Sequence, residues 1–163
     1  MTTIRQTPQT SSATLEGLLA WFDGYVAALP DSDKNLIQTA FDLAKEHYPA
    51  DALTTYGEPL MEHFLGSMQI VSELDLLPDA VAATILSDIG KYVPTWQELV
   101  TERCNSTVCE LVKGVDEVQK LTQFARVDSL ATPEERAQQA ETMRKMLLAM
   151  VTDIRVVLIK LAM

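Results

Sequence analysis

Apolar residues recur every three or four positions through most of the chain, the spacing of helices that bury one face. Leu15, Leu18, Leu19, Phe22, Tyr25, Val26 and Leu29 form the first such stripe, which Thr14 can cap and Pro30 ends. A second stripe runs through Leu36, Ile37, Ala40, Phe41 and Ala44, with Asp31 or Ser32 as cap and His47-Tyr48-Pro49 as its close. The segment Leu53 to Pro59 reads as a loop, with Gly57 at a turn and Pro59 suited to a first helical turn. A third helix is then expected from about Leu60 to Leu74, with His63 near its start.

The next pattern is of another kind. From Ala80 to Ser87 there is no charge, and the segment is apolar nearly all the way round a helical wheel. A helix expected from Pro78 to about Tyr92 should therefore be buried on every side, with other helices packed around it. Its second half carries Asp88, with apolar Leu86 and Ile89 close by. A buried carboxylate has to be paired, coordinated or protonated, because isolating the charge is costly. Asp88 is thus either a site residue or a helix-end carboxylate that water still reaches.

Downstream, Trp96, Leu99 and Val100 mark a short amphipathic helix. Ser106 or Thr107 can cap another, through Val108, Leu111, Val112, Val115, Val118 and Leu121. Residues from about Gln123 to Ala140 are polar and predict a loop running into a helix near Pro133. The apolar stretch Met143 to Met163 is expected to divide at Thr152 or Asp153, and its apolar ending suggests a piece of a longer protein. No strand-like alternation occurs. The pattern predicts an all-α single domain of about eight helices over residues 13–163, with residues 1–12 frayed.

Composition narrows the functional classes. The formal net charge of −10 argues against a general nucleic-acid-binding or anionic-membrane surface. The start lacks an apolar signal region, and no run reaches the roughly 18–20 apolar residues of a membrane span. Cys104 and Cys109, five apart, fit neither a redox pair nor a zinc knuckle, so no disulfide and a cytoplasmic address are expected. His63 and Asp88, on consecutive helices, suit half of a Mn, Fe or Zn site without an obvious third ligand. The plainer alternative is a hydrogen-bonded, half-buried histidine and a helix-end carboxylate. His47 reads as a solvated helix C-terminal residue, and Met143, Met146 and Met150 as core. Arg144, Lys145, Arg155 and Lys160 could face a phosphate, but such charges more commonly lie on a wet helix face. There is no Gly-rich phosphate loop, nucleophile elbow or Cys/His dyad.

Four segments carry a resemblance: Tyr56-Gly57-Glu58-Pro59-Leu60-Met61-Glu62-His63, Ile85-Leu86-Ser87-Asp88-Ile89-Gly90-Lys91-Tyr92, Leu111-Val112-Lys113-Gly114-Val115, and Arg144 to Met150 followed by Asp153 to Ala162. They look like the SGEPYxxH, LLHDVxED, LVxGVTKL and RKMLxAM…DIRVxLxKLAD motifs in the hydrolase domain of RelA/SpoT-type (p)ppGpp synthetase/hydrolases. Order and spacing hold from about residue 53 to the end, and the first 50 residues match less clearly.

The resemblance implies an HD-type helical fold. In active members one Mn²⁺ is held through a His, a His-Asp pair and a later Asp. A Glu-Asp pair activates the water that removes pyrophosphate from the 3′ position. Carried over residue by residue, His63 matches the first ligand and Asp88 the Asp of the pair, while Ser87 replaces its His. Lys91 and Tyr92 stand for the Glu-Asp pair, Thr54 for a basic residue beside the guanine, and Met163 for the last ligand.

A hydroxyl and a thioether are poor ligands for a hard cation, and Lys91 adds repulsion, so Mn²⁺ is expected lost and no cofactor is expected. Without the metal and the acidic pair, nothing activates a water. The pattern points to the RelA branch, with this domain a catalytically inactive hydrolase-like part of a GTP pyrophosphokinase of the stringent response. Its implied partners are a synthetase domain following residue 163 and, through the full-length protein, the ribosome, with no direct nucleic-acid or membrane binding. Two other readings compete: a guanine-nucleotide-sensing module without catalysis, and a residual metal-dependent phosphohydrolase on His63 and Asp88.

Overall fold

The structure is a computed structural model that describes residues 15–54, 56–74, 76–127, 132–150 and 153–163, without the side chains at 122–127, 146–147 and 149–150. Thr14 and the N-terminal segment expected to fray lie outside these residues. Among the described residues there are eight α-helices and no strand. They are α1 (Leu15–Ala27), α2 (Asp31–His47), α3 (Leu60–Ser72), α4 (Pro78–Ile85), α5 (Trp96–Arg103), α6 (Ser106–Val127), α7 (Pro133–Met150) and α8 (Ile154–Ala162). A single 3₁₀ turn, Ile89–Lys91, lies between α4 and α5. Among the described residues no helix is long and apolar enough to cross a membrane.

The short α4 is the hub, packed by α2, α3, α6 and α8. Every residue from Ala80 to Ile89 is buried, as the uncharged run from Ala80 to Ser87 requires. The surrounding helices turn their stripes toward it: Ile37, Phe41 and Ala44 from α2, Phe64 and Met68 from α3, Val112 and Val115 from α6, Val156 and Ile159 from α8. Gly114 permits the α6–α8 approach, since a Cβ there would lie 2.8 Å from Val156 Cγ2.

Several boundaries differ from the sequence expectations, each for a local reason. The central helix stops at Ile85 instead of continuing to Tyr92, because Leu86 leaves helical geometry at φ −90°, ψ 2°. The cap of α6 is Asn105, whose Oδ1 accepts from Val108 N at 2.8 Å, and Ser106 is already helical. Asn105 also donates through Nδ2 to Asp79 Oδ1 at 2.9 Å, tying the start of α6 to the start of α4. Neither Asp31 nor Ser32 caps α2, which begins after Pro30 with no side-chain cap. The helix α6 persists to Val127, past the loop expected from about Gln123. At α7, Thr132 and Glu135 form a capping box: Thr132 N donates to Glu135 Oε2 at 2.9 Å, and Glu135 N to Thr132 Oγ1 at 3.3 Å.

Candidate functional site

Ser87, Asp88, Lys91 and Tyr92 all lie in the corner after α4, and Tyr48 reaches it from the end of α2. A helix that stops inside the core leaves its last carbonyls without backbone partners. Here side chains help to take them. Ser87 Oγ donates a shared hydrogen bond to Ala83 O at 3.0 Å and Thr84 O at 2.8 Å. Tyr48 Oη donates to Ile85 O at 2.6 Å. The Tyr48 ring also meets Phe64 of α3 at 5.6 Å and Tyr92 at 5.4 Å between centroids. Burial pushes the Tyr48 phenol well above its ordinary pKa and the Asp88 charge adds to this, against an opposing backbone hydrogen bond from Asp88.

Asp88 is 8% exposed. Its Oδ2 accepts from Lys91 Nζ at 2.9 Å, whereas among the described residues Oδ1 is buried without a hydrogen-bond partner. The two side chains differ sharply in exposure, 9% for Asp88 and 50% for Lys91. The ammonium thus caps a buried carboxylate from the solvent side. Tyr92, 36% exposed, covers Tyr48 with its ring.

His63 lies on the first turn of α3, where its Nδ1 pairs with Glu58 Oε2 at 3.0 Å. No hydrogen bond or ion pair joins His63 to Asp88 among the described residues. Thr54 organises the loop that precedes α3. Its Oγ1 accepts from Tyr56 N at 3.3 Å and Glu58 N at 3.2 Å, and its backbone N–H donates to Glu58 O at 2.8 Å. Gly57 completes the loop at φ 83°, a left-handed conformation that suits glycine. Met163 ends the described chain after α8, packed partly against the core.

Among the described residues, no three His, Cys, Asp or Glu side chains gather as a metal-holding group. The donors this corner presents are one unpartnered carboxylate oxygen, Asp88 Oδ1, beside an ammonium and a serine hydroxyl already donating to backbone carbonyls. Cys104 and Cys109 are both free thiols. Burial pushes Cys104 up to about 11, so it is no nucleophile near neutrality. Of the other cations, Arg155 is held by Asp153 at 2.6 Å and Arg144 by Glu141 at 2.7 Å.

Two residues important to this geometry escape the periodicity argument. Tyr48 was legible only as the end of α2, and Glu58 only as part of a loop. The nearness of Glu58 to His63, five residues apart in one motif, was the available signal for their pairing.

An HD-domain family model matches residues 40–163. A guanosine-3′,5′-bis(diphosphate) 3′-pyrophosphohydrolase of Haemophilus influenzae is 39% identical over 106 residues, 65% of this chain and 14% of that protein. A GTP pyrophosphokinase of Myxococcus xanthus is 36% identical over 133 residues, 82% of this chain and 17% of that one. The bifunctional (p)ppGpp synthase/hydrolase SpoT of Escherichia coli is 31% identical over 134 residues, 82% of this chain and 18% of that one. The chain therefore spans less than a fifth of the length of these relatives.

Proposed function

This chain belongs to the HD-domain family, in its RelA/SpoT type, and on that premise we propose that it is a hydrolase-like domain without catalysis, with a regulatory or structural role in a RelA-type GTP pyrophosphokinase. The observation that carries this reading is the pairing of Asp88 with Lys91 at 2.9 Å. In the resemblance, Asp88 stands at a metal ligand and Lys91 at a catalytic carboxylate. A cation in the second position, bonded to the first, opposes a divalent metal by charge and by occupancy.

The remaining donors support the same reading. Ser87 spends its hydroxyl proton on the end of α4, and among the described residues no hydrogen bond or ion pair brings His63 to Asp88. The described residues do not fit a hard divalent cation, which calls for several oxygen or nitrogen donors around one centre. Lys91 and Tyr92 stand where the resemblance has the acidic pair, so neither supplies a carboxylate to accept a proton from water. On this reading residues 13–163 form the hydrolase-like unit, the synthetase domain of the same chain is its direct partner, and the ribosome is met through the full-length protein.

The purified chain, incubated with ppGpp and MnCl₂, should release no pyrophosphate above a protein-free blank. Manganese-dependent turnover would overturn the inactive reading. Removing this domain from the longer synthetase should alter its rate of pyrophosphate transfer from ATP to GTP. An unchanged rate would leave the regulatory role without support.

A further inference from the structure

The corner after α4 holds a charge that needs an explanation. Asp88 is buried at 8% exposure among apolar residues that are fully enclosed, yet among the described residues only one of its two oxygens has a partner. That partner is built into the backbone. In a 3₁₀ turn the side chains at i and i+3 eclipse one another. Lys91 N donates to Asp88 O at 3.0 Å, closing such a turn and placing Lys91 directly over Asp88. Gly90, between them, lies against Trp96: a Cβ there would come within 3.0 Å of Trp96 Nε1. The turn is thus pressed onto the start of α5, and the Lys91 backbone is held before its side chain contributes anything. This is unlike an ordinary surface ion pair, whose two long side chains are both wet and free to wander.

We propose that Lys91 is a tethered cation that does for Asp88 what a bound divalent metal would do: it neutralises the buried carboxylate and holds the α4–α5 corner in shape. The proposal deepens the inactive reading above and rests on it, since Lys91 is taken to occupy the cation's place. Without the Lys91 ammonium, neither oxygen of this buried carboxylate has a partner among the described residues.

The test uses the purified chain and thermal unfolding, with MnCl₂ alone as the metal probe. Wild-type protein should unfold at the same temperature in EDTA and in millimolar MnCl₂. Lys91→Met, which keeps the aliphatic stem and removes the charge, should unfold several degrees lower. Lys91→Arg should stay within about 2 °C of wild type, a shift of under about 1 kcal/mol. Asp88→Asn combined with Lys91→Met should melt above Lys91→Met alone, because no buried charge then remains. The double variant also keeps the test decisive if Lys91→Met alone fails to fold.

A wild-type protein that loses stability in EDTA would overturn the proposal. So would a Lys91→Met protein as stable as wild type, or a double variant that melts no higher than Lys91→Met alone. Hydrolysis of ppGpp by the wild-type chain would instead sink the inactive reading, so the two failures are told apart.

Discussion

Replacing Tyr48 by Phe isolates one hydrogen bond at the centre of the site. Tyr48 is 6% exposed, and its hydroxyl donates to Ile85 O at 2.6 Å. Phenylalanine keeps the ring against Phe64 and Tyr92, so almost no apolar burial is lost. What changes is the last carbonyl of α4, left in the core without the phenol as donor. A stranded buried acceptor costs about 1–3 kcal/mol. Melting temperature falls by about 2–4 °C per kcal/mol in domains of this size, so a cost of about 2 kcal/mol lowers it by about 4–8 °C. Urea unfolding should show a lower midpoint with an unchanged slope, the signature of lost stability without lost compactness.

Tyr92→Phe is the matched control. Its ring is 36% exposed, and its hydroxyl has no hydrogen bond among the described residues, so the change should stay within about 0.5 kcal/mol. A Tyr48→Phe protein that melts within about 1 °C of wild type would refute the account of how this corner is held. Equal losses for the two variants would do so as well.

Two helical glycines should respond oppositely to alanine. Gly66→Ala, with open space around its would-be Cβ, should stabilise by about 0.5–1 kcal/mol, whereas Gly114→Ala meets Val156 Cγ2 at 2.8 Å and should destabilise by up to about 2 kcal/mol after the propensity gain is subtracted. Chemical denaturation measures both, and adding Val156→Ala should relieve the clash at residue 114. Asp153 caps α8 and is held below its ordinary pKa of 3.8, first by its side-chain hydrogen bond with Arg155. A group with a depressed folded pKa stabilises fully above its unfolded value and loses that contribution as pH falls through the folded value. The stability gap between wild type and Asp153→Asn should therefore be constant from neutrality to about pH 5 and close below pH 4. Denaturant midpoints at a series of pH values report it, and a gap that persists into strong acid would contradict the assignment.

The helices themselves were legible because an amphipathic stripe is a local property, written at three- and four-residue spacing. The uncharged run from Ala80 to Ser87 announced the hub because its only polar side chains are the hydroxyls of Thr84 and Ser87, which bond back to carbonyls of α4. The division of the last apolar stretch near Asp153 also follows from local spacing.

Other features depended on partners distant in sequence. Where α4 ends is decided partly by Tyr48, 37 residues away from the carbonyl it caps. Periodicity carried that helix on to Tyr92, but the structure ends it at Ile85 and hands the rest to a 3₁₀ turn. That change of winding matters to the site, because it sets Lys91 over Asp88 and leaves Oδ1 enclosed without a donor. Asn105 displaced Ser106 as a cap while also linking to Asp79, a contact between two helix starts that spacing cannot express. Gly66 and Gly114 look alike in the chain, and only the approach of α8 makes one of them indispensable. Local pattern thus determined which segments are helical and which run is buried. Packing decided where the helices stop, which side chains take the orphaned backbone groups, and how a buried carboxylate is neutralised, because those depend on what the rest of the chain brings alongside.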